Sequence, residues 1–150
     1  MRSKTLSAAN VVWRDSDRVA ARLEGLEFFL DYQIGRFVVA DALRAAGAHV
    51  EVHIDHFEQN APDTQWIPEV GRRRWVLITK DQNIRRNPLE RHAYEAAQLR
   101  GFVVTGKDMS GPELAELLVR CLPGMARRVL GRRGPMLFSI SRSGVFSKLI

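Results

Sequence analysis

Asp31, Asp55 and Asp81 each close a short apolar run, in FFLD, VHID and LITKD, and Asp108 follows a fourth, in VVTGKD. Asp63 stands behind Pro62 at the head of a segment with helical spacing. A short acid fixed to a strand end is a rigid oxygen ligand, which suits Mg2+ or Mn2+. Several such carboxylates a few ångströms apart repel, and a divalent cation between them relieves that repulsion. A cation so held can activate water and stabilise a phosphoryl transition state. Arg85 and Arg86, just past Asp81, are placed to hold a phosphate chain. Aspartate after a strand also has a plainer use, because it makes turns and caps helices. That use suits Asp63, Asp108 and Asp55, whose strand need not border the site. Asp31 and Asp81 fit it poorly, since each interrupts an apolar strand that could have continued. Alternation turns Thr79 to the face of Asp81 and Lys80 to the other. Thr79 is then either a partner for a ligand or carboxylate, or an edge threonine with β-propensity.

Positioning these acids takes a regular alternation of elements. Residues 26–31 and 49–55 read as strands, the second by its alternating pattern. Between them, 37–47 has helical spacing and stops at Gly47. Pro62-Asp63 opens a helix that Pro68 shortens or kinks. Residues 74–81 form the third strand. Residues 87–101 form a strong helix with Asn87 as cap, Pro88 in first position and Gly101 at the end. A fourth strand follows at 102–106, then a helix over 110–122 capped by Ser110, to which 124–130 can add a turn. Residues 135–149 alternate around Arg142-Ser143-Gly144, as a hairpin or strand pair. Strand and helix alternate from 26 to 122, which predicts an α/β fold: an open, mostly parallel sheet with helices on both faces. Ligands of such sheets bind beyond the carboxyl ends of the strands, near a switch in strand order. Residues 1–25 read as an N-terminal arm, with a short helix over 14–24, and 26–150 as one domain.

The chain of 150 residues is 45% apolar and 27% charged, as in a soluble globular protein with a real core. No apolar run reaches the roughly 18–20 residues that cross a membrane, and the basic N-terminus has no signal-peptide core, so a cytoplasmic location is expected. Cys121 lies in an apolar pattern and reads as a packing residue. The net charge of +6 comes from 19 arginines and 4 lysines against 17 acids. A GC-rich genome would give such a bias, but the runs at 72–74, 85–86, 127–128 and 132–133 favour a polyanion surface.

The segment FFLDYQIGRFVVADALRAAGAHVEVHIDHF, followed by PDTQWIPEVGRRRWVLITKD, resembles the PIN-like ribonuclease family. Within that family it is most similar to VapC-type toxin relatives with a D…W…TKD pattern. The resemblance runs from about Glu27 to the C-terminus. It implies a metal-dependent endoribonuclease with Asp31, Asp63 and Asp81 as its acidic cluster, and Asp108 as a fourth acid. The usual glutamate of better-known PIN domains has no obvious counterpart here, and Asp63 takes its place. The implied chemistry is in-line attack of a metal-activated water on an RNA phosphodiester, with Mg2+ or Mn2+ held by the aspartates. Arg36, Arg85 and Arg86 would grip flanking phosphates, and Thr79 would bond the substrate or an acid. Single-stranded RNA suits a carboxylate-lined groove. The resemblance further implies a cognate antitoxin, often a DNA-binding protein, and a homodimer is compatible with it.

Other signals are weaker. His49 and His53 would share a strand face with His56 nearby, but a zinc site lacks a fourth ligand. Trp66 reads as packing against the sheet, Tyr94 and Leu99 as the core stripe of their helix, and Glu69 as solvent-facing. GRRG at 131–134 lacks a phosphate-loop signature. A phosphoacceptor receiver domain would need an acidic pair where Asp31 is followed by Tyr32 and Gln33. A non-catalytic PIN-like module that binds RNA or protein is the alternative function, because catalysis depends on ligand placement to about half an ångström.

Overall fold

Phe28, Phe29 and Leu30 are consecutive apolar residues that point to alternate sides of the first strand, so that strand must be covered on both faces. The computed structural model describes residues 23–35 and 37–150. The expected arm and short helix up to residue 22, and Arg36, lie outside the described residues. The strands are β1 (Glu27–Leu30), β2 (His49–Val52), β3 (Val76–Thr79), β4 (Arg100–Val104), β5 (Met136–Ile140) and β6 (Phe146–Lys148). The main helices are α1 (Val38–Ala45), α2 (Asp63–Arg72), α3 (Asn83–Arg86), α4 (Pro88–Ala96) and α5 (Gly111–Val129). Among the described residues, the strands form a six-stranded sheet in the order β2-β1-β3-β4-β5-β6. The first five strands are parallel, and β6 returns antiparallel to β5 as the expected C-terminal hairpin.

Strand alternation divides the core. Phe28, Leu30, Val76, Ile78, Phe102 and Val104 face one side, under α1 and α5. Phe29, Leu77 and Val103 face the other, under Trp66, Ile67 and Val70 of α2 and Tyr94 of α4. Leu23 and Leu26, ahead of β1, already belong to the first core. Helices therefore cover both faces. Among the described residues, none of the helices is long and apolar enough to cross a membrane.

Three boundaries differ from the sequence reading by three residues or more. β2 ends at Val52, and His53–Asp55 turn into a short 3-10 helix. α5 does not stop at 122 but runs through Pro123 to Val129, its N-terminus closed by a capping box between Ser110 and Glu113. α4 ends at Ala96, with Gln98 at φ 54°, and Gly101 lies inside β4 rather than ending the helix. Gly101 is needed there for closeness. A Cβ would stand 2.7 Å from the Tyr94 hydroxyl oxygen and 3.2 Å from Leu77. Gly101→Ala is expected to cost about 1–3 kcal/mol, read from urea unfolding. Wild-type stability in that variant would mean that α4 can lift off the sheet freely.

Candidate metal centre

The chain passes from β1 to β2 on one side, then crosses to β3 on the other side of β1. The switch in strand order thus falls between β1 and β3, which are the strands that end in Asp31 and Asp81. The register pairs Leu30 with Ile78, and the Asp31 N–H still donates to Ile78 O at 3.0 Å. The ladder itself therefore brings Asp31 beside Thr79.

Thr79 is fully buried and links the two strand ends. Its hydroxyl donates to Asp31 Oδ2 at 2.7 Å and accepts from the Asp81 N–H at 3.0 Å. The Tyr32 N–H donates to Asp31 Oδ1 at 2.6 Å. Asp31 is only 8% exposed, and burial raises its pKa above the ordinary value despite the bonds from Thr79 and Tyr32; Asp63 adds to the rise. Asp81 Oδ1 accepts from the Asn83 N–H at 2.9 Å, where α3 begins.

Two more acids come from helix starts on the same face of the sheet. Asp63 opens α2, and its Oδ1 accepts from Trp66 Nε1 at 2.8 Å. Trp66 is buried against Phe29, which anchors that first turn to β1. Glu90 lies in the first turn of α4, where Asn87 caps the helix by accepting from the N–H groups of Leu89 and Glu90. Carboxylate oxygens of Asp63, Asp81 and Glu90 all lie within 4.8 Å of one another. Glu90 Oε1 is buried with no hydrogen-bond partner among the described residues. Burial, a bond to Asp63 and the charges of Asp63, Asp81 and Asp31 push the Glu90 carboxyl up to about 8. In the metal-free protein the cluster thus keeps a proton at neutral pH.

His53 also reaches this group from the end of β2. It is buried, near Asp31 and Asp63, with its ring edge-on to Tyr32 and Trp66. Burial lowers its pKa although both acids push it up. Tyr32, Gly35, Val52, His53, Ile54 and Gln59 line a cavity of about 440 Å3 beside it.

Asp31, Asp63, Asp81 and Thr79 are thus brought together. Asp108 is exposed in the loop after β4, at φ 56°, and is not one of the three acids whose oxygens lie within 4.8 Å of one another. Asp55 is exposed in the 3-10 turn after β2, the strand on the far side of β1 from β3. Arg86 is exposed, whereas Arg85 is half-buried, with Nε lacking an acceptor among the described residues. The histidines do not converge. His49 is exposed at the start of β2, His53 is buried beyond its end, and His56 bonds Glu51 at 2.6 Å. Glu69 is half-buried and tied to Arg72 and Arg73.

Glu90 is the residue that sequence reasoning missed. The helix start at Asn87-Pro88 was legible, but a first-turn acid is expected on dipole grounds alone and so does not stand out.

A model described as PIN like domain matches residues 26–106, more than half of the chain. A curated protein of Mycobacterium tuberculosis named "Putative ribonuclease VapC45" is 28% identical over 121 residues, which covers 78% of this chain and 87% of that protein. No solved structure gives a significant match.

Proposed function

The chain belongs to the PIN-like domain family, and on that premise we propose that it is a metal-dependent endoribonuclease, the toxin of a toxin–antitoxin pair. The observation that carries this reading is the convergence of Asp63, Asp81 and Glu90 beside Asp31 at the switch in strand order. The donor set is all oxygen and includes a buried oxygen with no hydrogen-bond partner among the described residues, which fits a hard divalent cation. Asp63, Asp81 and Glu90 would hold Mg2+ or Mn2+, with Asp31 next to them. When bound, the ion supplies a Lewis acid and an activated water.

The chain's own residues do the rest. Thr79 fixes the carboxylate of Asp31 and the backbone of Asp81 with one hydroxyl. Arg85 and Arg86 lie on α3, just past Asp81, and the exposed Arg86 suits a phosphate oxygen. The cavity between Tyr32, His53 and Gln59 has room for an unstacked nucleotide, which favours single-stranded RNA as substrate. The similarity to the protein named VapC45 supports the toxin role, a cognate antitoxin partner and cytoplasmic action. A homodimer is part of the same reading.

The test is cleavage of single-stranded RNA with Mg2+ or Mn2+. Activity is expected to vanish with EDTA and to fall at least about a hundredfold in Asp31→Asn and Asp81→Asn. Metal-independent cleavage, or RNA binding without cutting under either metal, would replace this reading with that of a binding module.

A further inference from the structure

The end of the sheet opposite the acids has a cavity of its own. The starts of β1, β3 and β4 and the loop before β5 surround a space of about 620 Å3. Arg73, Arg74, Arg100, Arg132 and Arg133 line it, with Glu27 as the acid among the described lining residues. The charge there is poorly compensated. Among the described residues, Arg73 alone of these five has a carboxylate partner, Glu69 at 2.6 Å, and it lies over the Trp75 ring at 4.9 Å. Arg100 is fixed by carbonyls rather than by a carboxylate: Nη2 donates to Arg74 O at 2.7 Å, and Nη1 to Val129 O at 2.8 Å and Arg132 O at 3.5 Å. Those bonds hold a half-buried positive charge in place without neutralising it. Arg74 lies close enough for its charge to act against that of Arg100. Glu27 gives little relief, since burial and Glu51 both disfavour its ionised form.

We propose that this cavity is a second anion site, built to take phosphate groups. Guanidinium groups present paired donors that match phosphate oxygens, and fixed arginines lose little freedom on binding. The volume is that of a ligand pocket, larger than one phosphate needs. The phosphates come either from a free phosphorylated molecule or from an RNA backbone. The strands set the two ends of the sheet about 15 Å apart, so one RNA strand of several nucleotides can occupy both. Neither source requires that the protein cut RNA.

The experiment uses the full chain in EDTA, with Arg132→Gln/Arg133→Gln compared with Arg120→Gln/Arg127→Gln. The second pair removes equal charge from exposed positions on α5, outside the cavity. One arm measures the rise in melting temperature with pyrophosphate. The other measures the salt dependence of single-stranded RNA binding. If the site takes a free phosphorylated molecule, the pyrophosphate shift disappears only in the first variant. If it takes RNA, the slope of log K against log salt becomes shallower by about 1.4 only in the first variant. A loss in either arm confined to the first variant supports the site and identifies the source. Equal behaviour of the two variants in both arms overturns it.

Discussion

Glu90→Gln is expected to lose metal-dependent cleavage by at least about a hundredfold and to stabilise the metal-free protein at pH 8. The loss follows because Glu90 shares its pocket with Asp63 and Asp81, and an amide cannot supply the missing negative charge. The stability change follows from linkage. The folded carboxyl titrates at about 8, against an ordinary value of 4.5. Between those two values the folded state holds a proton that the unfolded chain has released. This contribution to wild-type stability is therefore complete below about 4.5 and is lost as pH rises through about 8. The glutamine variant lacks that loss, so its advantage should grow from pH 5 to pH 8, as read from denaturant midpoints in EDTA. Binding of Mg2+ or Mn2+ to the wild type must expel the proton, so affinity should rise over the same range. A variant that tracks the wild type at both pH values would show that Glu90 is an ordinary exposed acid.

The second large effect is expected at Thr79. Thr79→Val keeps the shape but removes a hydroxyl that serves both Asp31 and the Asp81 backbone. Each buried group left without its partner costs about 1–3 kcal/mol, so a loss of about 3 kcal/mol is expected in urea unfolding. The Thr79 bond also lowers the pKa of Asp31, so its removal makes that acid hold its proton more tightly. Metal affinity at neutral pH should fall by about 10–100-fold. Thr79→Ser should recover most of both losses, because it restores the hydroxyl. Wild-type metal affinity in Thr79→Val would show that the hydroxyl only fills space.

These two residues mark what the sequence made legible. Asp31 and Asp81 could be found because a carboxylate ends an apolar run that had no local reason to stop. Thr79 could be found because alternation fixes its face. Asp63 was visible as a helix opener, though its role rested on resemblance. Glu90 was hidden because its partners depend on strand order, which no local pattern states: β3 lies on the opposite side of β1 from β2. Asp108 also follows a strand end in the chain, but it lies in an exposed loop and is not one of the acids grouped within 4.8 Å, Asp63, Asp81 and Glu90. Alternation carried β2 on to Asp55, but the backbone turns after Val52 and tucks His53 among aromatic rings.

One contact made far from the acids bears on them. Tyr94 lies one turn beyond Glu90 on α4, and its hydroxyl donates to Met136 O of β5 at 2.6 Å. The fifth strand therefore moors the helix that presents the glutamate, although it follows the matched segment, which stops at residue 106. A chain trimmed after that point would keep Asp31, Asp63, Asp81 and Glu90 and yet leave the last of them adrift. The support of this acidic cluster thus extends to a strand 42 residues beyond Tyr94 in the chain.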